Sequence, residues 1–466
     1  MTTSAFIISR PDGAERRVSG YRYAAPRPDA KQYASQGRVP RLPPKVDLRP
    51  YMTPVENQGG SNSCVANAVA GAYEYLVKRH RGDDAYDVSR LFIYYNARAR
   101  SGSAHEDEGS IVADAIDSLR EQGACSEQTW PYDESIVNEE PAPEAYEEAG
   151  QFLVEDMQHV PTSLDAWRAA LAEGYPIIFG MSLFGSFDKH RKPGLVPMPT
   201  PRESARDSHG GHAMLCVGYS DPDQLFIVRN SWGPDWGDQG YCYIPYGYLM
   251  NDKFNGGDSW IIRQLENVDV DAGTWGDDTA LVGELDTELA KMGEEEFGAM
   301  LDAMGDVALE YRLGLIFLHA ANADGEITEE EIDEIAGYLG QTYEALGSSH
   351  DPAKVLRNCL RSLEDERLLH ESVELFGAHL PNTALASIVS SLQEVIGVDG
   401  LAEEEEGFLY ELVEAWQIDE AAHAEEEAEG DEEEDEEEDE EEGDEEEGDE
   451  EEGEEDEEAE EEAEEY

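Results

Sequence analysis

Apolar residues change their spacing along the chain, and the changes separate regions of different predicted structure. After Asn62 they recur three or four positions apart, as on one face of a helix, at Val65, Ala68, Val69, Ala72, Tyr73 and Leu76. A second helix is predicted over residues 110–122 and ends at Gly123. Short apolar runs typical of strands follow at residues 176–181, 213–219, 225–229, 241–244 and 260–262, with a hairpin turn at 221–223. A helical part followed by strands predicts an α+β domain with a cleft between its two parts.

Composition divides the chain into five segments. Residues 1–43, rich in Pro, Arg, Gly and Ser, form a basic N-terminal arm, and residues 44–267 hold the α+β domain. Residues 268–285 carry Gly and Asp and are interpreted as a linker. Residues 286–420 show Leu, Ala and Glu at helical spacing, which predicts a separate all-α bundle. Residues 421–466 form a Glu/Asp-rich tail that cannot bury a core and is predicted to be disordered.

Charge and cysteine content narrow the classes of function. The formal net charge is −76, and residues 425–466 alone hold 34 acidic side chains and no basic one. This surplus argues against general binding to nucleic acid or to anionic membranes, because both need a basic surface. There is no run of about 18 apolar residues that predicts a membrane span, and no signal-peptide core near Met1. Five cysteines do not make a disulfide framework, so we expect a cytoplasmic protein.

Cys64 is the first candidate nucleophile along the chain. It stands at the start of a predicted helix, where Asn62 or Ser63 can act as the cap. Unpaired amide N–H groups and the positive end of the helix dipole favour a thiolate there. The alternative is that Cys64 is a small buried apolar residue, as most isolated cysteines are.

Two later segments supply the partners that a nucleophilic cysteine needs. His212 follows Gly210 and Gly211 at the start of an apolar strand, and Asn230 ends the next strand before a loop rich in Gly and Trp. In a Cys–His site the imidazole takes the thiol proton and a third group orients the imidazole, while an amide donor near the cysteine binds the oxyanion. The chain order Cys64, His212, Asn230 therefore predicts nucleophilic catalysis by a thiol.

These segments resemble the papain family of cysteine peptidases over about residues 45–265. The separations from Cys64 are 148 residues to His212 and 166 to Asn230, and the run Asn230-Ser231-Trp232-Gly233 matches the asparagine loop of that family. The resemblance implies a papain-like two-part fold, with a helical half and a β-barrel-like half around a cleft. It also implies endopeptidase activity through an acyl-enzyme.

The resemblance assigns further residues to the site. Gln58 lies six residues before Cys64, at the spacing of the family's oxyanion-hole glutamine. Gly109 and Ser110 fall where the family lines its cleft with backbone groups. Together with Gly211 and Trp232 they are our candidates for substrate binding, and Trp232 is also expected to shield the Asn230–His212 hydrogen bond from water.

The chain also departs from the family pattern. Ser61 replaces a half-cystine that usually lies three residues before the nucleophile, and Val65 replaces a tryptophan. We therefore expect Cys125, Cys216 and Cys242 to be buried free thiols. The long helices of secreted pro-regions have no counterpart in residues 1–43, so we do not expect inhibition by that kind of pro-domain. We hypothesise instead that the acidic tail docks on the basic arm and holds it over the cleft. The alternative is a tail that only keeps the protein soluble.

The predicted bundle resembles the TerB-like tellurite-resistance family over about residues 285–418. Asp-Gly pairs recur in the weakly similar segments 323–327 and 398–402. The resemblance implies acidic residues able to hold a cation, and Asp324, Glu331 and Asp399 are the candidates. Counted as an EF-hand, the first segment has Ala320 at position one, which cannot bind calcium, so we expect no working calcium loop. In the alternative interpretation the aspartates cap helices and the glycines make turns.

The sequence thus favours an intracellular papain-like cysteine endopeptidase with a helical regulatory or targeting module and no cofactor. Its expected partner is a peptide or protein substrate, and the helical domain and the acidic tail are the candidate sites for a further protein partner. One alternative is a silent peptidase-fold scaffold for protein interaction. Another keeps the same site but performs transpeptidation or hydrolysis of a non-protein amide.

Overall fold

The computed structural model describes most of the chain before the acidic tail. The described ranges are residues 6–34, 42–81, 87–150, 153–206, 209–265, 287–322, 327, 329–348, 350–363, 365–397 and 403–418. The described residues up to Trp416 belong to one compact unit. The predicted linker and tail lie wholly outside these ranges, so the boundaries given to them stay predictions.

The first half of the compact unit joins helices to a sheet. Its helices are α1 (Cys64–Arg81), α2 (Arg90–Arg100), α3 (Val112–Glu121), α4 (Pro143–Ala149), α5 (Leu164–Ala172), α6 (Pro201–Arg206) and α7 (Tyr246–Leu249). Its strands are β1 (Ile7–Ser9), β2 (Glu15–Arg17), β3 (Lys45–Asp47), β4 (Val154–His159), β5 (Ile177–Leu183), β6 (Gly210–Ser220), β7 (Leu225–Arg229), β8 (Tyr241–Pro245) and β9 (Ser259–Leu265). Single 3₁₀ turns occur at Arg49–Tyr51, Glu134–Ile136 and Gly185–Asp188.

Helix α1 is the centre of this half. From Cys64 to Val77 every residue is buried, so the helix lies inside the domain rather than on its surface. It packs on α2 and α3 on one side and on β5, β6 and β9 on the other. Its buried Glu74 accepts hydrogen bonds from the Thr53 hydroxyl at 2.7 Å and the Val88 backbone N–H at 2.8 Å, so the carboxylate is not left unpaired.

The sheet is open, which corrects the expectation of a β-barrel-like half. Among the described strands the order is β4-β9-β5-β6-β7-β8, and all the pairings are antiparallel. Strand β6 extends beyond its pairing with β5, and β3 pairs with residues 218–220 at the end of β6. Because β4 and β8 pair with no common strand, the described strands do not close into a ring. The predicted hairpin turn at 221–223 lies between β6 and β7.

The second half of the unit is helical, as predicted. Its helices are α8 (Glu288–Lys291), α9 (Glu294–Met304), α10 (Leu309–Ala320), α11 (Glu329–Leu346), α12 (Pro352–Cys359), α13 (Glu366–His379), α14 (Asn382–Gly397) and α15 (Glu403–Trp416), with a 3₁₀ turn at Leu360–Ser362. Helix α10 is buried along most of its length, between α11, α12 and α13. Asp351 and Asp365 cap α12 and α13 by accepting backbone N–H bonds. No helix in the described ranges combines the length and apolarity needed to cross a bilayer.

The N-terminal arm is ordered in the structure over residues 6–34. Strands β1 and β2 form a hairpin, and the chain then continues in extended form. Farther on, the Tyr33 N–H donates to the His159 carbonyl at the edge strand β4, and Lys31 pairs with Asp156 at 2.7 Å. The arm therefore crosses the first half from the hairpin to the edge of the sheet.

The arm hairpin touches both halves of the unit. Arg10 pairs through Nε with Asp188 of the first half at 3.2 Å, and its Nη2 lies 3.4 Å from Nδ1 of His350 in the helical half. Asn358 donates from Nδ2 to the Pro11 carbonyl at 2.9 Å. Beside the hairpin, Lys189 donates to the Gly305 carbonyl at 2.5 Å. The hairpin is thus held between the two halves.

Candidate active site

Cys64 is the first residue of α1, as the sequence predicted, and its side chain is fully buried. The Asn62 amide Nδ2 donates to the Asp107 carbonyl at 2.6 Å, and the Asn62 N–H donates to Oδ1 of Asp107 at 3.0 Å. These bonds fix the loop that leads into the helix. Helix α1 packs on strand β6, and the backbone of Ala213, the residue after His212, acts to lower the pKa of the Cys64 thiol. The cysteine at the helix start and the histidine on strand β6 are therefore neighbours.

His212 and Asn230 form a buried pair. His212 Nε2 lies 2.8 Å from Oδ1 of Asn230, and that geometry makes Nε2–H the donor. Nδ1 of the same ring has no hydrogen-bond partner among the described residues. Strand β6 carries the histidine and β7 ends just before the asparagine, so the register of two paired strands sets their approach. The free ring nitrogen is in the state needed to accept a proton.

Trp232 packs on this pair. Its ring centroid lies 5.1 Å from that of His212, and Phe187 and Trp236 complete an aromatic cluster around it. Trp232 is 2% exposed and lies against the His212 ring that bonds Asn230. The shielding role expected of Trp232 stays a prediction.

Gln58 is held at both ends of its amide. Nε2 donates to the Ser61 carbonyl at 2.8 Å, and Oε1 accepts from the Ser231 hydroxyl at 2.6 Å. Ser231 follows Asn230, so the same loop orients both the glutamine and the asparagine. One amide hydrogen of Gln58 remains for another acceptor.

A hydroxyl cluster of Ser61, Ser63 and Tyr132 lies beneath this loop. The three oxygens are 2.6 to 2.8 Å apart, and the Tyr132 hydroxyl also donates to the Gln58 carbonyl at 2.7 Å. Ser61 occupies the position of the missing half-cystine. Hydrogen bonds therefore hold the segment that a disulfide holds in the resembling family.

The N-terminal arm runs through the cleft and covers Cys64. A β-carbon added to Gly20 would lie 2.8 Å from the Cys64 sulfur and 2.4 Å from the Asn62 carbonyl oxygen. The Gly20 carbonyl accepts from the Ser110 N–H at 3.0 Å, and the Tyr21 N–H donates to the Gly211 carbonyl at 3.3 Å. Gly109 has a φ of +80° and meets the Gly20 backbone closely. Three of the predicted cleft residues, Gly109, Ser110 and Gly211, thus contact a peptide segment of the chain itself.

The sequence predicted an arm near the cleft but not this mode of contact. We doubted inhibition by a helical pro-domain because residues 1–43 lack its helices, whereas the described part of the arm occupies the cleft without any helix. The contacts are mostly backbone hydrogen bonds and a close approach at Gly20, and neither leaves a periodic pattern.

Burial also changes the protonation expected for the site. Burial raises the pKa of the Cys64 thiol to about 12 and lowers the pKa of His212 to about 4, although the Asn230 hydrogen bond acts to raise the latter. The helix start was expected to favour the thiolate. Loss of water around the sulfur outweighs that effect in the covered site, so both groups are neutral near pH 7.

The structure describes only some of the remaining residues that were singled out from the sequence. Cys125, Cys216 and Cys242 are buried free thiols, as predicted. Asp324 and Asp399 lie outside the described residues, and Glu331 lies in α11 with a side chain that is likewise not described. Among the described residues no group of three acidic, His or Cys side chains is placed to hold a metal ion.

Comparisons with known proteins relate this chain to cysteine proteases. The family model described as papain family cysteine protease matches residues 42–253. A peptidase C1-like protein of Acanthamoeba polyphaga mimivirus is 36% identical over 280 residues, which cover 56% of this chain and 86% of that protein. Xylellain, a cysteine protease from Xylella fastidiosa, is 34% identical over 53% of this chain and 96% of its own, with a TM-score of 0.48.

Mammalian relatives match over a smaller part of their length. Pro-cathepsin H of Bos taurus is 28% identical over 45% of this chain and 61% of its own sequence. Cathepsin L2 of Homo sapiens is 29% identical over 44% of this chain and 60% of its own. The matched part of this chain thus spans about three fifths of these two relatives. On the family match and the viral relative together, the chain belongs to the papain family of cysteine proteases.

Proposed function

We propose that this chain is a cysteine endopeptidase that uses Cys64 as nucleophile. His212 Nδ1 takes the thiol proton as the sulfur bonds to the peptide carbonyl carbon. The C–N bond then breaks, and the proton passes from His212 to the leaving amine. Water hydrolyses the resulting thioester, with His212 again as base, and returns the free thiol and a carboxylate.

The other groups act on the geometry and charge of this reaction. Asn230 holds the imidazole in the tautomer that leaves Nδ1 free, through the bond of 2.8 Å. The second amide hydrogen of Gln58 and the Cys64 N–H are the donors for the oxyanion. The observation that supports the proposal most directly is the buried His212–Asn230 pair with one unpartnered ring nitrogen beside the cysteine helix.

The covered cleft makes the described form a latent enzyme. Gly20 lies over the sulfur where a scissile carbonyl must stand, and Tyr21 occupies the neighbouring backbone positions. Substrate can enter only when this part of the arm leaves. Activity therefore depends on how firmly the arm is held.

The helical half is proposed to regulate the enzyme through the arm. Asn358 and His350 contact the arm hairpin, which lies one short segment before Gly20. Any event that moves α12 away from the hairpin removes part of the anchoring. This gives the helical module a regulatory role that needs no contact with Cys64.

Gly20→Val in the full chain tests the proposed function. The added side chain cannot fit over Cys64, so the arm should leave the cleft, and labelling by a thiol-directed peptide probe and hydrolysis of a fluorogenic peptide mixture should both rise. Gly150→Val is the matched control, because a side chain at the exposed Gly150 meets nothing within 4 Å. Cys64→Ala in the Gly20→Val chain should abolish both signals.

The alternatives give different results in the same experiment. A silent scaffold would not label at Cys64 in any variant. A transpeptidase would label but would transfer the acyl group to an added amine in preference to water. Hydrolysis that persists in the Cys64→Ala chain would contradict the assignment of the nucleophile.

A further inference from the structure

The side chain of Tyr21 fills a pocket beside the cleft. Its ring lies where a β-carbon of Gly180 would be, because such a carbon would stand 2.1 Å from the ring. The same ring approaches Gly211 on the neighbouring strand at 3.3 Å, measured from a β-carbon added there. At the far end, the Tyr21 hydroxyl donates to Oδ2 of Asp258 at 3.1 Å. We call the space bounded by Gly180, Gly211 and Asp258 the tyrosine pocket.

The tyrosine pocket belongs to the sheet and not to the arm. Gly180 lies on β5 and Gly211 on β6, and these strands pair directly. Asp258 precedes β9, which pairs with β5, and its carbonyl accepts from the Gly180 N–H at 3.3 Å. Its Oδ1 accepts from Nε1 of Trp260 at 2.6 Å, so the carboxylate is held in place from behind. The pocket walls should therefore persist when the arm leaves.

The carboxylate of Asp258 is a buried acceptor that a pocket occupant must satisfy. Asp258 is 1% exposed, and of its two oxygens Oδ2 faces the phenol. Burial raises the pKa of Asp258, while the hydrogen bonds from Trp260 and Tyr21 act to lower it. An occupant without a hydrogen-bond donor would leave Oδ2 buried without this hydrogen bond, which would lower the affinity of the pocket for that occupant.

The pocket stands one residue along the cleft from the nucleophile. Gly20 lies over the Cys64 sulfur, and the next residue of the arm, Tyr21, enters the pocket while its backbone N–H bonds to Gly211. A substrate that places its scissile residue over the sulfur will place the side chain of an adjacent residue at the same entrance.

We propose that the tyrosine pocket selects peptide substrates with a tyrosine next to the residue at the scissile bond, and that Asp258 determines this specificity by accepting from the phenol hydroxyl. Gly180 contributes by leaving room for the ring. Phenylalanine fits the same space but offers no donor to Asp258. The inference rests on the proposed peptidase function and specifies its substrate class.

The first test compares substrates on the full-length Gly20→Val chain. Two fluorogenic peptides are identical except for tyrosine or phenylalanine next to the scissile residue, and the pair is made for each side of that residue. On one side kcat/KM should favour tyrosine about tenfold, as for a hydrogen bond to a charged group. In the Gly20→Val/Asp258→Ala chain the ratio should fall to near one, while the phenylalanine peptide is still cleaved. Gly180→Ala should weaken cleavage of both aromatic peptides relative to one with alanine.

A second test probes the tyrosine pocket through the rate of Cys64 labelling and does not depend on hydrolysis. Tyr21→Phe in the otherwise unchanged chain removes only the hydroxyl that bonds Asp258, so the arm should be held less tightly and Cys64 should label several times faster. Tyr23→Phe is the matched control, because Tyr23 is an arm tyrosine with 56% of its surface exposed. This comparison remains valid even if an Asp258 variant fails to fold.

The two tests separate failure of the inference from failure of the proposed function. Equal cleavage of the two peptides, or a preference for phenylalanine, would overturn the specificity while leaving a peptidase. If the Gly20→Val chain labels but cleaves no peptide, the proposed function fails and the labelling comparison decides the pocket. In that case, faster labelling of Tyr21→Phe alone supports recognition of the phenol, and unchanged labelling refutes it.

Discussion

At the scale of single residues, the loop before the nucleophile depends on hydroxyl groups. The Tyr132 hydroxyl contacts Ser61, Ser63 and the Gln58 carbonyl within 2.8 Å. Tyr132→Phe should lower the free energy of unfolding by about 1–3 kcal/mol, since it removes the hydrogen bonds that this hydroxyl makes within a buried cluster. In the Gly20→Val chain it should also lower kcat, because Gln58 loses one of its supports. Urea unfolding and steady-state kinetics would measure these effects. Tyr146→Phe, which loses a single bond to Asn96, is the control.

The side chain of Gln58 has a more direct role in the proposed reaction. Gln58→Ala in the Gly20→Val chain should lower kcat by about a hundred- to a thousandfold with little change in KM, because an oxyanion donor acts mainly in the transition state. Steady-state kinetics on one peptide is the measurement. A change confined to KM would show that Gln58 binds substrate or only supports the loop.

Removing the cover should change the titration of the thiol. Burial raises the Cys64 pKa to about 12, so in the latent chain the reactive thiolate is scarce below that pH. Displacing the arm by Gly20→Val admits water, which favours the charged form and lowers this pKa. The rate of alkylation by iodoacetamide should therefore begin to rise at lower pH in the variant than in the parent chain. Superimposable pH profiles would mean that the arm is not what dehydrates Cys64.

At the scale of elements, the sequence predicted the core better than the arm. The strand predicted at 225–229 agrees with β7, and the helix predicted at 110–122 exceeds α3 by two residues at its start and one at its end. The run at 213–219 was too short, because Gly210, Gly211 and His212 lack the apolar signal that defines a strand. Strand β4 was not predicted at all, since Glu155, Asp156 and Gln158 interrupt its apolar residues.

The catalytic residues were likewise easier to predict from the sequence than the contacts of the arm. Cys64, His212 and Asn230 were grouped by their chain order and by the resemblance to the papain family. Each lies at the end or start of an element with strongly apolar neighbours. The β1–β2 hairpin has three residues in each strand, and the next segment depends on backbone bonds to Ser110 and Gly211. Such contacts accept many sequences and therefore cannot be predicted from one.

The extended arm is held partly by charge. Arg10, Arg27 and Lys31 pair with Asp188, Asp117 and Asp156 of the first half, at 3.2, 2.6 and 2.7 Å. The side chains of Arg27 and Lys31 are exposed, so their ion pairs weaken as salt screens them, with a Debye length of about 3 Å at 1 M. Raising salt should therefore speed labelling of Cys64 by an uncharged probe. The Gly20→Val chain should respond little, and an equal response of both chains would place the salt effect on the probe chemistry.

At the scale of the whole molecule, the helical half should set the stability of the latent state. Asn358→Ala removes the bond from α12 to the Pro11 carbonyl and should increase the labelling rate of Cys64 several-fold, with the peptidase residues unaltered. Asn382→Ala, at an exposed asparagine at the start of α14, is the matched control. The same rate for all three chains would show that the hairpin contact does not restrain the arm.

The covering segment is continuous with the polypeptide that it covers, and this has a consequence for dilution. A separate inhibitor dissociates from its enzyme as both are diluted, whereas a tethered one keeps the same local concentration at any amount of protein. The fraction of molecules with a covered active site should thus be equal in a concentrated and in a dilute sample. A single cut between residues 34 and 42 would turn this intramolecular contact into a bimolecular equilibrium, and activity would then depend on the protein concentration.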